Sequence, residues 1–142
     1  MKKKIFFSIS LILIILIFSA GCAVWNSIKD RYVPYKMIGK KGGKTLVEFT
    51  FDSPSAETVH LAGAFNNWTA PGGTVAPGET KNLPIQMKKD KKTNYWKVVW
   101  AIDPGKYPYK YIINKTQWRQ DPNSLEKVDD GFGGKNSIIL VE

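Results

Sequence analysis

Residues that carry chemistry are scarce in this chain: its 142 residues include one cysteine and one histidine. A lone cysteine cannot close an internal disulfide, so the core must hold by packing alone. A lone histidine, with no partner histidine or second cysteine, offers no ligand cluster of the kind zinc sites use. His60 sits in a strand-like run and reads as a hydrogen-bonded structural residue. Gly-x-Ser-x-Gly, a phosphate-binding glycine loop and His-Glu-x-x-His are all missing. One acidic pair, Asp129 and Asp130, falls in a single loop, whereas a glycosidase needs two carboxylates set across a cleft roughly 5 to 9.5 Å apart. No catalytic residue, metal or cofactor is expected.

Helical periodicity is missing too, outside the N-terminus. There, Lys2, Lys3 and Lys4 precede an apolar run, Ile5 to Phe18, broken only by Ser8 and Ser10, and the run ends in Ser19-Ala20-Gly21-Cys22. A basic start, an apolar middle and a small-residue site make a secretory signal peptide. The run is short for a spanning helix, which takes about 20 apolar residues. The cysteine directly after the small residues resembles a bacterial lipobox, in which that cysteine becomes the lipidated first residue. Ser19 departs from that pattern, where an aliphatic residue is usual. An ordinary signal peptide or an uncleaved signal anchor with an incidental cysteine is the alternative. On the lipobox reading, residues 1–21 are removed, Cys22 carries the lipid and acyl chains hold the protein to the cell membrane, each buried CH₂ contributing roughly 0.8 kcal/mol. Ala23 does not resemble an inner-membrane retention signal, which points to the outer membrane if the host has two.

Cleavage before Cys22 would leave 121 residues, enough for one domain. Residues 22–44 hold Pro34, Gly39, Gly42 and Gly43 among charges and read as a tether. Trp25, Tyr32 and Tyr35 within it either meet the membrane interface or pack on the domain. From Thr45 onward the pattern is short period-2 runs. Val47, Phe49 and Phe51 alternate with Leu46, Glu48 and Thr50. Val59, Leu61 and Phe65 share a face. Trp96, Val98, Trp100 and Ile102 alternate with Lys97, Val99 and Ala101, which assigns both tryptophans to the core. Tyr107, Tyr109, Tyr111 and Ile113 alternate with Lys110 and Ile112, and a last run covers Ser137 to Val141. Turn signals at Asp52-Ser-Pro54, Pro71-Gly-Gly73, Asp103-Pro-Gly105 and residues 131–134 separate the runs. Spaced strands without helices indicate an all-β sandwich of antiparallel strands over residues 45–142.

Four pieces within residues 57–141 stand out: the Phe65-Asn-Asn-Trp68 run, Tyr109-Lys-Tyr111, Trp118-Arg-Gln-Asp-Pro122 and Asn136-Ser-Ile-Ile139. In order and spacing they resemble the family-48 carbohydrate-binding modules, including the glycogen-binding module of the AMP-activated protein kinase beta subunit and the early-set domains of starch-branching and debranching enzymes. The resemblance implies an immunoglobulin-like, early-set β-sandwich of about seven strands and a polysaccharide partner of the α-glucan type. It implies that Trp68 and Trp118 stack on sugar rings, and that Lys110 and Asn136 hydrogen-bond hydroxyls. An asparagine amide donates and accepts at once, which suits adjacent hydroxyls. Phe132 stands where the kinase subunit has a bulky aliphatic against the glycan. Gly134 stands where the kinase subunit has a threonine, so one hydroxyl is lost. The segment 69–92, rich in Pro, Gly and Lys, is a second departure. Asn66 and Asn67 read as turn-formers, and Asp121 as a carboxylate capping a turn.

The formal charge of +9 falls to +6 once Lys2, Lys3 and Lys4 are removed. A basic balance suits anionic surfaces, but the remaining lysines are scattered or in turns and read as solvated. No nucleic-acid motif is present. Two function classes follow: a membrane-tethered, non-catalytic glycan-binding module, or an early-set module that has lost sugar binding and contacts an envelope protein or acts as a spacer. The first requires Trp68 and Trp118 exposed on one surface beside Lys110 and Asn136. The second goes with buried or covered tryptophans.

Overall fold

The computed structural model describes residues 33–73, 78 and 82–142. The signal segment 1–21, Cys22, and Trp25 and Tyr32 of the expected tether lie outside the described residues.

Alternating side chains along the strands build two antiparallel sheets that close into a sandwich. The strands are β1 (Tyr35–Lys41), β2 (Lys44–Phe51), β3 (Val59–Gly63), β4 (Ile85–Gln86), β5 (Lys88–Lys89), β6 (Trp96–Ile102), β7 (Gly105–Ile113), β8 (Gln117–Arg119), β9 (Lys127–Asp129) and β10 (Lys135–Val141). One sheet has the order β1-β2-β6-β5. The other runs β4-β3-β7-β10-β9, with β8 also paired to β7. Ten strands among the described residues exceed the seven or so that the sequence implies, because β4, β5, β8 and β9 have only two or three residues each.

The inner faces are those the alternation marks. Val47, Phe49 and Phe51 from β2 meet Val59 and Leu61 from β3, Trp96 and Ile102 from β6, and Tyr109 and Tyr111 from β7, all buried in one cluster. Trp100 is partly buried against it. Phe49 meets Tyr109 edge to face at 5.4 Å between ring centroids, and Phe51 lies 4.2 Å from Tyr111. Such aromatic pairs add roughly 0.5–1.5 kcal/mol beyond the area they bury.

Two buried hydroxyls in this apolar setting need acceptors. Asp121, itself fully buried, provides one for both: its Oδ2 accepts from Tyr109 Oη at 2.9 Å and Tyr111 Oη at 3.2 Å. Its Oδ1 accepts from Asn123 N at 2.9 Å, the turn contact read from the sequence. Burial pushes the Asp121 carboxyl above its ordinary range, against the hydrogen bonds that lower it. Burial also raises Tyr109, with the neighbouring Asp121 charge acting in the same direction.

The boundary drawn at residue 44 is corrected. Tyr35–Lys41 is a strand of the sandwich, paired with β2 from Tyr35↔Phe49 to Lys41↔Lys44. All of it except Tyr35 is exposed, so backbone pairing rather than a buried face defines it. Gly42 and Gly43, with φ of 58° and 78°, close the hairpin, as a two-residue primed turn requires. Tyr35 packs toward Phe49 at 6.3 Å, which favours packing on the domain. Within the 69–92 segment, Ile85 and Met87 are buried. The chain there pairs first with β3 and then, after Met87, with β6, changing sheets.

Candidate functional site

The outer face of the larger sheet is where the polar and aromatic residues converge. Strand alternation decides this. Tyr109 and Tyr111 point inward and are fully buried, so Lys110 between them points out. Ile112 shares the Lys110 face and is the cross-strand partner of Trp118, which brings the Trp118 side chain to that face. Ser137 pairs with Tyr109 and is buried, so its neighbour Asn136 faces outward as well. Asn136 is the second residue of β10, which starts at Lys135, two positions before the expected run from Ser137.

Trp68 reaches the same face by a different route. β3 ends at Gly63, a single 3₁₀ turn (Ala64–Asn66) follows, and Asn67 and Trp68 both take φ of 57°. Two consecutive non-glycine residues in the left-handed region need support. Asn66 supplies it from full burial: its Oδ1 accepts from Gly63 N at 2.9 Å, and its Nδ2 donates to Leu83 O at 3.3 Å. Trp68 N donates to Gly63 O at 2.9 Å. Only glycine fits at 63, because a Cβ there would lie 2.7 Å from the Phe65 ring and 2.8 Å from Pro108 O. The turn thus carries Trp68 beyond the end of β3 and leaves its ring 6.3 Å from the Trp118 ring with 48° between planes.

The loop between β9 and β10 forms the third wall. Asp130 organises it: Oδ1 accepts from Phe132 N at 2.8 Å and Gly134 N at 2.9 Å, and Oδ2 accepts from Lys110 Nζ at 2.5 Å. Phe132 stands at the apex, 96% exposed. The Lys110 hydrogen bond first, then the two backbone N–H groups, hold the Asp130 carboxyl down at about 2, so it is ionised at any neutral pH.

Together these walls enclose an open cleft of about 540 Å³ lined by Trp68, Lys110, Trp118, Asp130, Phe132 and Asn136. The structure therefore brings all five residues singled out from the sequence into one place and adds Asp130. In the sequence Asp130 reads only as half of an acidic pair. The signal for it is an aspartate opening Gly131-Phe-Gly-Gly134, since aspartate caps such turns with its own side chain. Trp118 is 43% exposed and Trp68 partly so. The cleft can present two aromatic faces, ammonium N–H donors, an amide that donates and accepts, and a carboxylate that accepts.

Other chemistry stays outside the cleft. His60 is 6% exposed, with Nδ1 buried and unpartnered. Burial, and then the Lys115 charge, hold its pKa below the ordinary value, so it is neutral at pH 7. Among the described residues no group of three or more His, Cys, Asp or Glu could hold a metal ion, and no helix is long and apolar enough to cross a membrane.

No family description and no curated protein matches the sequence. Solved structures do match by shape. A maltogenic amylase from S. marinus superposes with a TM-score of 0.55 at 21% identity, over 76% of this chain and 16% of that one. An apo pullulanase from Paenibacillus barengoltzii gives a TM-score of 0.46 at 18% identity, over 77% of this chain and 14% of that one. The chain thus spans only a small part of each enzyme, and the likeness to the amylase shows a shared immunoglobulin-like sandwich fold.

Proposed function

We propose that this chain is a non-catalytic carbohydrate-binding module of the family-48, glycogen-binding type, held at the cell envelope by a lipid on Cys22, and that its ligand is an α-glucan. One observation carries this reading: Trp68 and Trp118 stand side by side, open to solvent, in a cleft whose remaining walls offer Lys110, Asp130 and Asn136. Pyranose rings present flat C–H faces that pack on aromatic rings, and hydroxyl edges that need both donors and acceptors. Each stacking contact contributes on the order of 1 kcal/mol, by analogy with aromatic packing, so binding to a short oligosaccharide is weak and rises with multiple contacts along a polymer. The name of the maltogenic amylase is consistent with a glucan, and the lipobox-like N-terminus with anchoring.

The competing reading, a protein-interaction or spacer module, goes with covered tryptophans. Trp118 at 43% exposed speaks for the glycan reading. Affinity electrophoresis of the full-length protein through gels containing glycogen, pullulan or no polysaccharide is the direct test. Retardation by an α-glucan supports the proposal. Unchanged mobility in every gel, with one saturable protein partner recovered from envelope extract, supports the spacer or interaction reading instead. Anchoring is tested separately by Cys22→Ser, which is expected to release the protein from the membrane fraction.

A further inference from the structure

We propose that Asp130 is a specificity-determining residue: paired with Lys110, it makes the cleft select uncharged, hydroxyl-rich glycans and reject acidic ones. The inference rests on the glycan-binding reading above and goes beyond it in naming what the cleft excludes and which residue does so.

The first ground is charge. Without Lys2, Lys3 and Lys4 the chain carries +6 (9 − 3), a balance that by itself favours acidic polymers. The cleft does not share it. Its charged lining is one lysine and one aspartate, and they pair at 2.5 Å with side chains 14% and 10% exposed. Charges withdrawn from water to this degree act on a ligand more strongly than solvated ones. The pair cancels the cation that would otherwise greet a uronate or sulfate.

The second ground is hydrogen-bond valence. A lysine ammonium has three donors and an ionised carboxylate about four acceptor positions. Lys110 gives one donor to Asp130. Asp130 accepts from Lys110, Phe132 N and Gly134 N. Donors and an acceptor remain side by side, which matches a sugar hydroxyl, since it both donates and accepts. A carboxylate on the sugar can only accept, and it would face the Asp130 charge.

The third ground is steric. Gly134 has no side chain, and the Asp130 carboxylate lies over it. The Gly134 φ lies outside the left-handed region, so backbone geometry does not demand glycine there. A Cβ at 134 would lie 2.6 Å from Asp130 Oδ2, so a side chain there requires the Asp130 carboxylate to shift from its contact with Lys110. Asp130 occupies the room that a side chain at 134 would take and presents an acceptor there.

The test compares two probes of one stereochemistry, maltoheptaose and maltoheptaose oxidised at C6 to the uronate, by calorimetric titration of full-length protein. Asp130→Asn keeps an oxygen for the loop N–H groups and removes the charge; circular dichroism checks its fold. Wild type is expected to prefer maltoheptaose by about tenfold or more, and Asp130→Asn to narrow that ratio by about tenfold, as loss of one partly buried charge implies. A second pair of variants reads the steric claim: Gly134→Thr is expected to lose binding, and Asp130→Ala with Gly134→Thr to regain part of it. An unchanged ratio in Asp130→Asn overturns the inference and leaves the glycan reading standing, as does wild type binding the uronate equally well. Binding of neither probe by wild type overturns both.

Discussion

The rings of Trp68 and Trp118 stand 6.3 Å apart, centroid to centroid, with 48° between their planes. They belong to unrelated elements, one to the turn after β3 and the other to the three-residue β8. Their proximity follows from the pairing of both β3 and β8 with β7. Two faces inclined to each other fit successive units of a curved chain better than those of a flat, extended one.

Removing either ring is therefore expected to weaken α-glucan binding by about 1–1.5 kcal/mol, roughly tenfold, within the range of aromatic contacts. The two variants differ in what else they disturb. Trp118→Ala, at a site 43% exposed, is expected to leave the urea midpoint almost unmoved. A binding isotherm alongside a denaturation curve separates the two effects.

Asp121→Ala is expected to do the reverse: a large loss of stability through the core. It strips the acceptor from the Tyr109 hydroxyl and one of two acceptors from the Tyr111 hydroxyl, which also donates to Thr50 O at 3.2 Å, and leaving a buried donor unsatisfied costs about 1–3 kcal/mol. Tyr109→Phe, which removes one donor and leaves the carboxylate in place, is expected to cost less. Urea unfolding monitored by circular dichroism ranks the two.

Gly63→Ala tests the turn that carries Trp68. The added methyl meets the Phe65 ring and Pro108 O at under 3 Å, and forced overpacking costs typically 1–3 kcal/mol. The expected outcome is reduced thermal stability together with an altered Trp68 environment in near-ultraviolet dichroism.

Acid weakens the Asp130 loop with a definite sign. Its carboxyl is held at about 2 in the fold, chiefly by Lys110, against an unfolded value of about 3.9. A depressed acid stabilises the fold fully above the unfolded value, and the contribution is lost as pH falls from about 4 toward 2. Asp121, raised by burial, works in the opposite sense. The difference in urea midpoint between wild type and Asp130→Asn is expected to shrink between pH 7 and pH 2.5. A constant difference would contradict the ion-pair account.

Much of this was legible in the sequence, and the reasons are local. Strands with one buried face announce themselves, as Val47, Phe49 and Phe51 or Tyr109 and Tyr111 do, because burial imposes the period of 2. β1 did not, since Met37, Ile38 and the lysines around them are all exposed; the Gly42-Gly43 turn was the available clue. β4 and β5 are too short to show a period. Each motif residue is visible on its own, whereas the role of Asp130 depends on Lys110, 20 positions away. No pattern within its own loop records that partner.

The most direct test of the central claim is tryptophan fluorescence of the full-length protein titrated with maltoheptaose, with Trp68→Ala and Trp118→Ala in parallel. The account expects a saturable shift in wild type that each substitution reduces or abolishes while the fold persists by circular dichroism. A shift that survives both substitutions, or no shift with any α-glucan, contradicts it.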